Sequence, residues 1–277
     1  MRENHISQTA LKVALGLITL SIKSDWSERL PPGLVDLTEK LLLSSGATGY
    51  GPALIRASKK PWMIKVYEFQ DRMMPGQWEG FGYRKVFINE QVKNAIEGGA
   101  EQVLVLGAGF DTLCLRLAPY YRGVDFYEID HPTTSEAKAK GVANCGNPEN
   151  LHLIAADLAK CSLSDALSQA VNWDPSKSSV VVAEGLLQYL DDADVHHLFR
   201  EVAECLCLKS RFIFTHAIPQ DRKLLQTILK LISEPFRSSI SSAELPGYIA
   251  NCGWKVISGI DDAVCHGIEC YAVAERG

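Results

Sequence analysis

The sequence predicts an α/β protein built on a doubly wound, mostly parallel sheet that closes with an antiparallel hairpin. Three observations carry that expectation. Short, continuously apolar runs such as Val103–Leu106 and Val180–Ala183 suit strands buried on both faces. From about residue 100 onward, such runs alternate with helical patterns at the spacing of βαβ units. The last two runs, 254–258 and 268–274, are joined by a segment without helical periodicity, so they should pair antiparallel.

Taken in order, the residues before 100 give helical patterns at 7–21, 33–45 and 84–98. Between the last two lies a stretch of Gly, Pro and aromatic residues: Tyr50-Gly51-Pro52, Pro61-Trp62, Pro75-Gly76-Gln77-Trp78 and Gly80-Phe81-Gly82-Tyr83. Such clusters punctuate helices. The stretch therefore reads as loops, either a plain connector or a lid whose aromatics cover a pocket. The second part gives seven strands, at 102–106, 124–129, 151–155, 179–183, 211–215, 254–258 and 268–274. Helices fill the gaps at 112–118, 132–142, 163–171, 191–207, 220–232 and 243–251.

Composition narrows the class of function. The 277 residues hold 28 Lys and Arg against 33 Asp and Glu, a net charge of −5 that argues against a broad nucleic-acid-binding face. Hydrophobic residues at 47% and charged residues at 22% exclude a disordered or collagen-like chain. No apolar run approaches the ~20 residues of a membrane-spanning helix. Residues 10–22 carry Lys12 in the middle and lack a small-residue cleavage site, so they read as an amphipathic helix, not a signal peptide. None of the eight cysteines forms a Cys-x-x-Cys pair, and no metal-ligand cluster stands out. They read as reduced, apolar thiols, with the cytoplasm as the expected compartment.

The chemistry is expected at the carboxyl ends of the strands, where open α/β sheets bind ligands. After the first strand comes Leu106-Gly107-Ala108-Gly109-Phe110-Asp111-Thr112. Gly107 and Gly109 permit a tight turn and close approach of a ligand to the backbone. Thr112 stands where a dinucleotide fingerprint has its third glycine, which favours a nucleoside without phosphates over a pyrophosphate. Asp130 ends the second strand, 21 residues after Gly109, near the spacing at which an acid meets ribose hydroxyls. It could equally cap the helix that begins at Pro132. Asp157-Leu158 follows the third strand and Glu184-Gly185 the fourth. Acids at successive strand ends suit a nucleoside with a cationic tail, the make-up of S-adenosylmethionine (AdoMet).

These blocks, with Tyr127-Glu128-Ile129-Asp130-His131-Pro132 and Ala183-Glu184-Gly185-Leu186-Leu187-Gln188-Tyr189-Leu190, resemble the leucine carboxyl methyltransferase family. Its bacterial branch of small-molecule O-methyltransferases, which includes tetracenomycin-type polyketide enzymes, is the most similar; Gly82-Tyr83-Arg84-Lys85-Val86-Phe87-Ile88 and Ser7-Gln8-Thr9-Ala10 also match that branch. The resemblance runs from about residue 7 to the C-terminus. It implies a Rossmann-like class I methyltransferase fold, with a helical lid region at 1–98 framing part of the acceptor pocket and an AdoMet-binding core at 99–277. It implies that Arg84 holds the methionine carboxylate, that Gly107, Ala108, Gly109 and Asp111 form the cofactor turn, and that Asp130 and His131 lie at the ribose. Asp157 and Leu158 would flank adenine, and Glu184 with Gly185 the methionine amino group. The basic residue that seats the acceptor in protein-methylating members has only Lys12 as a counterpart, and the N-terminal third matches those members poorly.

The expected activity is transfer of a methyl group from AdoMet to a carboxylate or phenolic hydroxyl of a small molecule, with no metal, nucleic acid or membrane partner. A phenol benefits from a base. Tyr189 and His216 near the carboxyl edge are the candidates, though a histidine there can equally be a packed core residue. Three other readings stay open: methylation of a protein C-terminal leucine, a non-catalytic AdoMet-binding protein, and a nicotinamide-dependent oxidoreductase, the last disfavoured by Thr112 and the terminal hairpin.

Overall fold

A computed structural model describes residues 8–46, 51–219, 236–259 and 265–277. Its helices are α1 (Gln8–Leu20), α2 (Leu34–Ser45), α3 (Gly51–Ser58), α4 (Pro61–Met73), α5 (Gln77–Glu97), α6 (Leu113–Leu117), α7 (Pro132–Ala143), α8 (Leu163–Ser168), α9 (Asp192–Glu204) and α10 (Leu245–Ala250). The strands are β1 (Gln102–Leu106), β2 (Asp125–Asp130), β3 (Leu151–Ala155), β4 (Ser179–Ala183), β5 (Arg211–Ala217), β6 (Trp254–Ser258), β7 (Cys265–His266) and β8 (Glu269–Arg276).

The sheet order is β3-β2-β1-β4-β5-β8-β6, with the two-residue β7 paired to β8. Strands β1 to β5 run parallel, whereas β8 lies antiparallel to both β5 and β6. The connection reverses direction between β1 and β4, so the two adjacent carboxyl ends diverge and leave a crevice there. β1 and β4 are buried along their whole length, which accounts for their unbroken apolar runs.

Each face of the sheet has its own core. On one, Leu104, Leu106, Phe212 and Phe214 pack with Val195, Phe199 and Val202 of α9 and with Leu245 and Ile249 of α10. Phe199 lies 5.0 Å from both Phe212 and Phe214, ring centre to ring centre. On the other, Val103, Val105, Val180, Val182 and Ile213 meet Ile88 and Val92 of α5 and Leu113 and Leu117 of α6. Thus α5 brings its Arg84 and Lys85 directly under the β1–β4 crevice.

Three expectations are corrected. The aromatic stretch at 50–83 is not a set of loops, for α3, α4 and the first turns of α5 occupy it. Tyr67, Trp78 and Phe81 pack with Trp26 in a hydrophobic cluster, and the Trp78 indole donates to the Gly16 carbonyl at 3.0 Å. Gly82 is no turn residue: it lies in α5 against Trp26 and Leu20, where a Cβ would fall 2.7 Å from Leu20 Cδ2. Second, the cysteines are not all thiols. Cys265 and Cys270, cross-strand partners in the β7–β8 ladder, form a disulfide. Third, His131 rather than Asp130 caps α7, its side chain accepting from Thr133 N–H. The helix expected over 220–232 lies outside the described residues. Among the described residues no helix is long and apolar enough to cross a membrane.

Candidate cofactor site

The β1–α6 turn sets the site. Gly107 and Gly109 adopt φ of 63° and 49°, a region that L side chains seldom enter. The Gly107 N–H donates to the Ile129 carbonyl at 2.8 Å, which ties the turn to β2. Ala108 is buried beneath it. α1 lies over the turn: a Cβ on Gly109 would come within 2.9 Å of the Ala10 Cβ. Asp111 Oδ1 accepts from the N–H groups of Thr112 at 2.6 Å and Leu113 at 3.2 Å, relieving two of the unpaired donors at the start of α6.

Asp130 leaves the end of β2 and faces this turn. Its Oδ2 accepts from Gly109 N–H at 2.6 Å and its Oδ1 from His131 N–H at 2.7 Å. Burial pushes the carboxyl above its ordinary pKa, against the lowering effect of those two N–H donors. His131 Nε2 lies 3.8 Å from Asp157 Oδ2 beyond β3. Burial alone would raise Asp157, yet the Ala159 N–H and Lys160 hold it below the usual range. Leu158, next to it, packs on the α9-side core. The ends of β1, β2 and β3 thus form one continuous rim.

The other half of the rim is a buried charge cluster. Arg84, 5% exposed, sets Nε 2.8 Å from Glu184 Oε1 and a terminal nitrogen 2.9 Å from Glu269 Oε2. Burial opposes its charge, but Glu269 and Glu184 outweigh that and raise the guanidinium pKa. Lys85 lies 2.7 Å from Glu184 Oε1, 2.8 Å from Oε2 and 3.0 Å from Asp111 Oδ1. Burial opposes the Asp111 charge, whereas Lys85, Lys138 and Arg116 draw its pKa well below the usual range. Gly185, with φ of 61°, donates its N–H to Thr215 Oγ1 at 2.8 Å and lies against the Arg84 guanidinium. Gln188 donates to Glu269 Oε1 at 2.7 Å.

The structure therefore brings together Arg84, Gly107, Ala108, Gly109, Asp111, Asp130, His131, Asp157, Leu158, Glu184 and Gly185 along one rim. Tyr189 and His216 meet on a separate segment. His216 lies within β5, not after it, and one ring nitrogen, Nδ1, is 2.9 Å from the Ile240 carbonyl. Tyr189, in a 3-10 turn, sets its ring edge-on to Phe236, and Ser238 Oγ donates to the Leu187 carbonyl at 2.8 Å. Residues 236–240 thus link both candidates. Sequence reasoning missed Lys85, Glu269 and Gln188 as members of the cluster. Glu269 alone carried a signal, a charge in the otherwise apolar run Ile268–Ala274.

The residues fit an AdoMet-type ligand. Gly107 and Gly109 add no side chain of their own to the turn, which Leu186 and Ala10 approach from above, an acid faces it, and Arg84 with Glu184 offers partners for a carboxylate and an amine. Among the described residues no group of three or more His, Cys, Asp or Glu could hold a metal ion.

The fold is a class I methyltransferase architecture, and solved structures share it. A candidate methyltransferase from Thermobifida fusca aligns with a TM-score of 0.59 at 14% identity, over 91% of this chain and 97% of that one. Magnesium protoporphyrin IX methyltransferase from Synechocystis, solved with bound SAH, gives 0.51 at 14% identity over 77% and 95%. In sequence, a candidate S-adenosyl-L-methionine-dependent methyltransferase from Mycobacterium bovis is 27% identical over 214 residues, 70% of this chain and 60% of that protein. One from Mycobacterium avium is 25% identical over 251 residues, 84% and 73%. The chain spans about 60% of the length of the first curated relatives it matches. The profile described as leucine carboxyl methyltransferase matches residues 34–203, more than half the chain, and the protein belongs to that family.

Proposed function

We propose that the protein is an AdoMet-dependent O-methyltransferase that modifies a phenolic hydroxyl or carboxylate of a small molecule. The observation that carries the reading is the convergence of the glycine turn, Asp130, Glu184 and Arg84 on one rim. Asp130 keeps acceptor capacity on both oxygens for the two ribose hydroxyls. Arg84 would hold the methionine carboxylate and Glu184 the amino group. Gly107 and Gly109 admit the nucleoside to the backbone, and the Asp157–Leu158 pair would border adenine. When bound, the cofactor supplies a methyl group already activated on a sulfonium. The protein then has chiefly to align an acceptor oxygen, which can supply up to ~7–11 kcal/mol.

His216 supports a phenolic acceptor. Facing the Ile240 carbonyl, Nδ1 carries the proton, so Nε2 holds a free lone pair; it is buried with no hydrogen-bond partner among the described residues. Burial lowers the ring's pKa and keeps it neutral at pH 7, as a proton acceptor must be. Tyr189 shares the same segment and would help orient the acceptor. The N-terminal helices through residue 98 would cover the acceptor side. A carboxylate acceptor is favoured instead by Lys12 of α1, a partly buried cation without an ion-pair partner among the described residues, whose pKa burial lowers.

The test is methyl transfer from radiolabelled AdoMet to panels of phenols and aliphatic acids. Label in ether- or ester-linked product supports the reading, and no transfer to either panel refutes it. For a phenol, His216→Gln should lower kcat by about 100-fold or more without weakening AdoMet binding. An unchanged kcat would remove His216 from the chemistry.

A further inference from the structure

Lys85 is buried on α5 beside Arg84, yet the two side chains serve different elements. Arg84 reaches Glu184 and, across the crevice, Glu269 on β8. Lys85 reaches both oxygens of Glu184 and, on the opposite side, Asp111 of the glycine turn. Asp111 is itself fixed by two N–H groups of α6, and Glu184 sits where β4 ends beside the anchored Gly185. The lysine therefore bridges the two strand ends that border the crevice, β1 and β4.

We infer that Lys85 is the positioning residue for the cofactor's amino-acid end, holding the Glu184 carboxylate away from a closed two-bond pair with Arg84. The inference rests on the site assignment proposed above. A planar guanidinium forms such parallel pairs with a carboxylate readily. Glu184 presents Oε1 to Arg84 through Nε, while Lys85 contacts both carboxylate oxygens and prevents rotation about the acid's axis. Without Lys85, Glu184 would keep one direct cationic partner among the described residues, Arg84, with Arg116 attracting it from farther off. It would turn onto the Arg84 guanidinium and occupy the nitrogens that a ligand carboxylate needs.

Acting through its charge alone, Lys85 would have the opposite effect on AdoMet binding. Arg84, Lys85 and Arg116 contribute +3, and Asp111, Glu184 and Glu269 contribute −3, so the cluster is neutral. AdoMet is a net cation, with an ammonium, a carboxylate and a sulfonium. If Lys85 acted only as a positive charge, removing it would tighten AdoMet binding. If it positions Glu184, removing it weakens binding, and only for ligands that possess the amino-acid end.

The experiment is calorimetric titration of the full chain and its variants with AdoMet and with methylthioadenosine, which lacks the amino acid. Lys85→Met should weaken AdoMet by about tenfold or more and change methylthioadenosine by less than about twofold. Lys85→Gln, a milder change, should show the same split and serves if the Met variant does not fold. Equal or tighter AdoMet binding overturns the inference, and so does an equal loss for both ligands, which marks a merely structural lysine. Glu184→Gln separates the two levels. If that change leaves AdoMet binding intact, the site assignment fails. If it weakens AdoMet whereas the Lys85 variants do not, only the role given to Lys85 fails.

Discussion

Replacing Asp130 by Asn probes the ribose end of the site with a change of one atom. Both carboxylate oxygens already accept a backbone N–H, at 2.6 Å from Gly109 and 2.7 Å from His131. In the variant, one of those positions becomes an NH2 group aimed at another donor. One charge-assisted hydrogen bond is lost, and a partly buried N–H loses its acceptor, which costs about 1.5–3 kcal/mol of stability. The bond to a ribose hydroxyl is weakened on the same scale, which corresponds to AdoMet affinity lower by about 10- to 150-fold. Calorimetric titration at pH 7.5, with a thermal melt of the unliganded variant, reads both quantities. There is also a pH signature. Burial raises the Asp130 pKa, so in the wild-type protein AdoMet affinity should fall on acidification sooner than an ordinary aspartate would cause. The Asn variant should lack that step. A folded Asp130→Asn protein that binds AdoMet within twofold of wild type would refute the assignment of this acid to the ribose.

Further predictions concern the framework. Glu128 and Lys138 form an ion pair at 2.5 Å with both side chains at most 3% exposed. Lys138→Met strands the carboxylate and should cost about 3–5 kcal/mol at neutral pH in urea unfolding. Burial already pushes Glu128 up, and Lys138 is the main opposing influence. In the variant its folded pKa therefore lies further above the unfolded one. The loss should be least in acid, below the unfolded pKa, and should grow as pH rises towards the folded pKa. A penalty independent of pH would show that the pair is not the cause. Gly82→Ala drives a methyl group into Leu20 and Trp26, both at most 1% exposed, and should lower stability by about 1–3 kcal/mol; an unchanged melting temperature would contradict the tight α1–α5 contact.

Much of the fold was legible because the strands are buried on both faces. Val103–Leu106 and Val180–Ala183 could hardly be anything else, and β1, β3, β4 and β6 begin and end at the expected residues. The region 50–83 was misread because glycine and aromatic residues have two uses. Gly76, with φ of 79°, does turn the chain, but Gly82 is a contact point between helices, and local sequence does not distinguish the two. The Cys265–Cys270 bond was invisible because it depends on the register of β7 against β8. At the site, the glycine turn and the strand-end acids follow from position along the chain. Lys85 and Glu269 do not: the partners of Lys85, Asp111 and Glu184, lie 26 and 99 residues away, and Arg84, the partner of Glu269, lies 185 residues away.

The central claim is that the rim from Arg84 to Asp157 receives AdoMet. Its most direct test is calorimetric titration of the full chain with AdoMet, alone and with excess NADH present. Saturable binding of one equivalent, undisturbed by NADH, is the expected result. Absence of heat at millimolar AdoMet, or displacement of AdoMet by NADH, would contradict the account.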